Sequence, residues 1–234
     1  MKKLIGVVII SAFLLIPFHA DAGIIDTVTL NEGYDSNDWG TFNFPELGTQ
    51  SVYDNYNASI SGGTFIEDGI YESFCVENAW SNGTNNSYTV LSIDSDLEGF
   101  GIDTSDLFAA AWIAEEYYDD DKEAAQIAIW ETMFDTGNSI TSGNFYVDSD
   151  VASATLANAT SYLNSVAGII FSDDFSTNWV LAVNPEVSYG GTISLDSSQN
   201  YIVRAAAPVP EPSTMLLLGT GLIGLVGARK RFKK

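Results

Sequence analysis

The sequence predicts an α+β fold, in which a β-rich domain contains a helical insert. Residues 23–100 contain short β-prone pieces, such as 40–44 and 87–91, separated by clusters of Asn, Asp and Gly. The middle of the chain then changes to helical periodicity, and residues 169–203 return to strand-like runs. The sequence contains no internal repeat, so we expect a single domain between its two ends.

Three helices are predicted in the insert. Residues 104–106, Thr-Ser-Asp, are typical of a helix start and precede an apolar run. Residues 119–121 are three aspartates, which favour the positive end of a second helix over 123–134. The second helix carries apolar residues at spacings of three and four, namely Ile127, Trp130 and Phe134. A third helix is expected over 151–166.

The N-terminal 22 residues have the pattern of a secretory signal peptide. Lys2 and Lys3 precede a mostly apolar run over 4–18, and Ala20-Asp21-Ala22 offers a small-x-small cleavage site. We expect the mature chain to begin at Gly23 and the domain to occupy residues 23–207.

The C-terminal segment, residues 208–234, has three parts in a fixed order. A short motif over 209–212 contains Pro210, Glu211 and Pro212, an apolar run follows over 213–228, and a basic cluster ends the chain over 229–234. The apolar run is short for a membrane span, but flanking residues could complete a transmembrane helix with the basic cluster on the cytoplasmic side.

This tail resembles the PEP-CTERM sorting signal of Gram-negative bacteria that make exopolysaccharide. The resemblance implies an exosortase as processing partner, the inner membrane as the location before processing, and the cell surface or extracellular matrix afterwards. A permanent single-pass anchor is the alternative, although it gives the Pro-Glu-Pro motif no role.

The domain between the two ends is strongly acidic. Two of the nine basic residues, Lys122 and Arg204, and 29 of the 31 acidic residues lie in 23–207, so its formal charge is −27. Such a body repels phosphate backbones, which argues against nucleic acid as a partner. Its many aromatic residues argue against disorder.

Histidine and cysteine usage excludes several chemistries. The only histidine, His19, lies in the signal peptide, so the mature chain has no His-dependent triad or His-ligated metal. The only cysteine is Cys75, so no intramolecular disulfide can form. We expect no cofactor and no enzymatic turnover. A hydrolase using the adjacent carboxylates Glu115 and Glu116 is a further class, but no complete catalytic set supports it.

Cys75 and Gln126 together carry a second resemblance. Residues 74–78 are predicted to form a short strand, in which Cys75 lies between Phe74 and an aliphatic residue. Gln126 opens a Gln-x-Ala-Ile-Trp motif whose other members are Ala128, Ile129 and Trp130. The pair resembles the bacterial surface thioester domain. That resemblance implies that the Cys75 thiol displaces ammonia from Gln126, and that a nucleophile on a surface or matrix ligand later opens the thioester. Aromatic residues such as Phe74 and Trp130 would shield the bond from water.

Two readings of the domain therefore stand side by side. In the first, the Cys75–Gln126 thioester attaches the protein covalently to its partner. In the second, Cys75 keeps its thiol, Gln126 is a solvent-facing helix residue, and the protein is a non-covalent structural or carbohydrate-binding component of an exopolysaccharide matrix.

Overall fold

A computed structural model describes residues 24–32, 38–45, 47–53, 56–76, 86–94, 97, 104–135, 139–171, 175, 177–183 and 200–205. Within them lie nine strands and three helices. The strands are β1 (Ile24–Glu32), β2 (Asp38–Phe44), β3 (Gly48–Tyr53), β4 (Asn57–Ser61), β5 (Gly69–Cys75), β6 (Asn86–Ser92), β7 (Tyr146–Ser149), β8 (Val180–Val183) and β9 (Tyr201–Val203). The helices are α1 (Thr104–Tyr117), α2 (Lys122–Phe134) and α3 (Ser153–Val166).

Six of these strands form a closed barrel in the order β1-β4-β5-β9-β8-β6, and every neighbouring pair is antiparallel. Closure removes the open sheet edges that would otherwise invite pairing with other chains. The last strand, β9, lies between β5 and β8, so the barrel closes only when residues at the end of the domain are in place.

A second sheet, in the order β3-β2-β7, packs on the helices. Its Phe42 and Phe44 contact Trp130 of α2, with ring centroids 5.5 and 5.0 Å apart. Phe74 of the barrel contacts Tyr118, which follows α1, at 5.5 Å. Helix α2 therefore lies between the barrel and the small sheet, and the core is continuous through the barrel, the helices and the small sheet.

The predicted α+β class, with a helical insert between β segments, is confirmed. The start of α2 is also as predicted, since Asp121 is its N-cap and accepts a hydrogen bond from Ala124 N at 3.0 Å. The apolar stripe predicted for α2 is too narrow, because residues 124–131 are all buried. The helix is covered on every side, which a one-face pattern does not anticipate.

Two strand predictions need correction. The strand expected around Cys75 lies earlier in the chain, because β5 begins at Gly69 and ends at Cys75 itself. The short strand β7, between α2 and α3, was not predicted at all. The signal peptide 1–22 and the C-terminal segment, with its expected transmembrane helix over 213–228, lie outside the described residues. Among the helices that are described, none has the length and apolarity to cross a membrane.

Candidate functional site

The candidate site lies at the last residues of β5, next to its partner strand β4. β4 pairs with β5 from Asn57, opposite Glu72, to Ile60, opposite Gly69. One step further, Ser73 N donates to Tyr56 O at 2.9 Å. Two residues further along β5, the N–H and C=O of Cys75 point to this same β4 side, because the neighbouring Val76 N donates to Asn200 O on the β9 side. A buried backbone group in this position needs another hydrogen-bonding group.

The side-chain amide of Gln126 provides that group. Cys75 N donates to Gln126 Oε1 at 3.0 Å, and Gln126 Nε2 donates to Cys75 O at 2.7 Å. This reciprocal pair satisfies the N–H and C=O of Cys75 much as a neighbouring strand would. Gln126 is only 3% exposed. The alternative of a solvent-facing glutamine is therefore wrong, and the structure brings together the two residues that the sequence motif paired.

On its other side, Cys75 lies directly opposite Tyr201 of β9. The flanking hydrogen bonds, from Val76 N to Asn200 O and from Arg204 N to Glu72 O, make Cys75 and Tyr201 a non-hydrogen-bonded pair. Side chains of such pairs lie on one face and close together. Sequence reasoning missed Tyr201 because the pairing joins residues more than a hundred positions apart.

The barrel register shows which face this is. The buried residues Val28 and Leu30 alternate with more exposed neighbours on β1, so they mark the inner face. Leu30 lies opposite Ile60, and Ile60 lies opposite Gly69, which shares a face with Cys75 by the two-residue period. The Cys75 side chain therefore points towards the barrel interior, and it is 6% exposed.

Two of the other predicted site residues, Phe74 and Trp130, pack into aromatic groups that meet where Trp39 contacts Tyr56, with ring centroids 6.3 Å apart. Phe74 packs against Tyr56, Tyr118 and Trp179, with centroids 5.5 to 5.8 Å away. Trp130 packs against the small sheet, including Trp39 of β2, whose ring centroid is 6.0 Å away. Ala128 and Ile129 are fully buried within α2. These residues hold α2 between the barrel and the small sheet, which fixes the position of Gln126.

An ion-pair network holds α1 against the same barrel strands. Arg204 donates to Glu72 of β5 at 2.8 Å and to Glu115 of α1 at 3.1 Å. Glu115 also accepts a hydrogen bond from Trp179 Nε1 at 2.9 Å. Glu115, a candidate hydrolase carboxylate in the sequence, is thus engaged in joining a helix to the barrel.

Glu131 is a buried carboxylate on α2 that the sequence did not single out. It is 1% exposed, its Oε1 accepts from Ser139 N at 2.9 Å, and its Oε2 has no hydrogen-bond partner within the part of the chain that the structure describes. Burial is the main reason that its pKa is raised to about 7. Among the described residues, no group of three or more His, Cys, Asp or Glu side chains could hold a metal ion.

Comparison with known proteins identifies the C-terminal tail. Residues 208–231 match the PEP-CTERM protein-sorting motif, which includes Pro210, Glu211 and Pro212. The chain therefore carries the signal of an exosortase substrate that is exported and sorted to the cell surface in Gram-negative bacteria. Neither the curated proteins nor the solved structures include a significant match. The comparisons give no support to the resemblance to a thioester domain.

Proposed function

We propose that this exported, surface-sorted protein forms an internal thioester between Cys75 and Gln126 and uses it to attach covalently to a surface or matrix partner. One observation carries the proposal: the reacting amide is already docked on the backbone of the cysteine through two hydrogen bonds. Both residues are held on rigid, buried elements, which is the arrangement that gives an intramolecular reaction a high effective concentration.

The two hydrogen bonds give each end of the amide a defined role. Cys75 Sγ attacks the Gln126 side-chain carbonyl carbon, and the developing charge on Oε1 is stabilised by Cys75 N–H, now 3.0 Å away. The C–N bond then breaks, and Nε2 leaves as ammonia with the thiol proton. The products are a γ-glutamyl thioester and one ammonia, so atoms and charge balance.

An incoming amine or hydroxyl would then open the thioester. Its nucleophilic atom attacks the same carbonyl carbon, Cys75 N–H again stabilises the oxyanion, and the Cys75 thiol is regenerated as the leaving group. The partner ends as an amide or ester on Gln126. This is a single covalent attachment, so the protein would not turn over as an enzyme.

A second candidate function also has an observation in its favour. Both hydrogen bonds of Gln126 go to backbone atoms, which is what a purely structural amide at a sheet edge would do. In that case Cys75 remains a thiol inside the barrel, and the protein is a non-covalent structural or carbohydrate-binding component of the surface matrix.

Intact mass spectrometry of residues 23–207 separates the two functions, because this segment contains every strand of the barrel. The thioester predicts a wild-type mass lower by one ammonia and a normal mass for Cys75→Ala. Methylamine should then add to the wild type alone. A full wild-type mass with a titratable thiol in the denatured chain would instead support the non-covalent function.

A further inference from the structure

The two ends of the barrel differ in what they carry. β1 and β5 begin towards the same end of the barrel, and β9 runs towards that end because it is antiparallel to β5, with Ser73 opposite Val203. Cys75, opposite Tyr201, lies at the other end. The domain therefore enters and leaves the barrel at one end and holds the Cys75–Gln126 pair at the opposite end.

The end where the chain leaves presents large apolar side chains to solvent. Phe65, in the loop between β4 and β5, is 65% exposed, and Ile70 at the start of β5 is 79% exposed. Ile24, at the start of β1, is 45% exposed. Among the described residues, the other large exposed apolar side chains are Leu47, between β2 and β3 of the small sheet, and Ile169 and Ile170, which follow α3.

The loop that carries Phe65 is fixed rather than merely exposed. The buried Asp26 carboxylate accepts hydrogen bonds from Thr64 N, Phe65 N and Ile66 N at 2.7 to 3.0 Å. Ile66 is buried beneath the loop, so its neighbour Phe65 must point outwards. A loop that is fixed by hydrogen bonds and holds an aromatic ring in solvent suggests that the ring contacts another surface.

The length of the chain after the barrel limits what that surface can be. Ala205 is still buried, and the matched sorting motif begins at residue 208. Residues 206–212 separate Ala205 from the apolar run at 213, a distance of at most about 25 Å when fully extended. While that run remains in a membrane, this end of the barrel stays close to the bilayer surface.

We propose that in the membrane-bound precursor Phe65 and Ile70 contact the bilayer interface, so that the barrel stands with its Cys75 end directed away from the membrane. Aromatic and aliphatic side chains gain free energy on entering the interfacial region. The orientation itself does not depend on the proposed function. Its consequence does, because the Cys75–Gln126 pair would then face incoming ligands rather than lipid.

Site-specific fluorescence quenching tests this orientation on the full chain. In a Cys75→Ala background, a single cysteine is introduced as Phe65→Cys or, at the opposite end, as Ser87→Cys, and is labelled with bimane. Ser87 is a matched control because it is exposed and lies at the start of β6, at the Cys75 end. The precursor is produced in a host without an exosortase and reconstituted into phosphatidylcholine vesicles containing a lipid with a nitroxide on its headgroup.

We expect the label at position 65 to be quenched several-fold more than the label at position 87. Equal quenching, or stronger quenching at 87, would overturn the proposal. Failure of the chain to remain with the vesicles would also overturn it. Quenching at position 65 that depends on neighbouring labelled protein chains, and not on the nitroxide lipid, would overturn it too, because it would indicate contact with a second copy of the chain. Because Cys75 is absent from both variants, the result is independent of whether the thioester forms.

Discussion

The docked amide of Gln126 makes a strong prediction about stability. In Gln126→Glu, a carboxylate oxygen replaces Nε2. In the wild type, Nε2 donates to Cys75 O at 2.7 Å, and the Gln126 residue is only 3% exposed. Two acceptors would then face each other, and a charge would be buried without a partner. Leaving one buried carbonyl unsatisfied costs about 1–3 kcal/mol, and an uncompensated buried charge raises the total to about 3–5 kcal/mol.

The comparison is best made in a Cys75→Ala background, which keeps the backbone N–H and C=O and removes any thioester. The free energy of unfolding, from urea titration at pH 7, should fall by about 3–5 kcal/mol on adding Gln126→Glu. Gln50→Glu is the matched control, because Gln50 Nε2 also donates to a backbone carbonyl, Leu47 O at 2.8 Å, but does so near the surface. We expect it to cost less than about 1 kcal/mol.

The same substitution should depend on pH. Burial raises the pKa of a carboxyl group, and the protonated form can again donate to Cys75 O. The loss caused by Gln126→Glu should therefore be small below the unfolded pKa of about 4.3 and grow as pH rises through the folded pKa. If Gln126→Glu costs no more than Gln50→Glu at every pH, the reciprocal hydrogen bonds do not hold Gln126 against Cys75, and the geometry of the site is refuted.

Three further predictions concern charged groups outside the site. Because burial raises the pKa of Glu131 to about 7, its ionisation destabilises the fold progressively between about pH 4.5 and 7. Glu131→Gln should therefore raise the free energy of unfolding by on the order of 2 kcal/mol at pH 8 and have little effect at pH 4. An equal effect at both pH values would contradict this. Burial acts to raise the pKa of Asp26, but the hydrogen bonds from backbone N–H groups outweigh burial and lower it. Asp26→Asn should therefore reduce the free energy of unfolding by about 2–4 kcal/mol at pH 7, and by less as pH falls through the folded pKa. Asp68→Asn, at an exposed site in the same loop, should reduce it by under about 1 kcal/mol. Arg204→Met should cost only about 1 kcal/mol in urea titration, since its ion pairs are one-third exposed, and a loss above about 3 kcal/mol would show that they matter more than solvent screening allows.

Much of the fold was predictable because its signals are local. The aspartates ending at Asp121 predicted the start of helix α2. Turn residues and β-prone runs predicted the strands around residues 40–44 and 87–91. The closed barrel was not predictable, because strand order depends on pairings such as that of β5 with β9, which are distant in sequence. Periodicity alone also could not show that α2 is enclosed by the barrel on one side and the small sheet on the other.

The candidate site could likewise be predicted from the sequence only in part. Cys75 and Gln126 were paired through a motif, and the structure places the amide of one on the backbone of the other. That contact depends on α2 packing beside the last residue of β5, which is a tertiary contact that the local sequence does not show. Asp26 was missed because a single aspartate in a strand resembles a solvated residue until the loop that it binds is known. The thioester bond between Cys75 and Gln126 stays a prediction.

Locating the methylamine adduct tests the central proposal most directly. Wild-type domain is treated with methylamine under native conditions, alkylated after denaturation, digested and mapped by tandem mass spectrometry, with Cys75→Ala treated in parallel. The account predicts N-methylation of the Gln126 side chain and a newly alkylatable Cys75 in the wild type, and an unmodified Gln126 in Cys75→Ala. An unmodified Gln126 in both proteins, with Cys75 alkylated to the same extent before and after methylamine, would contradict it.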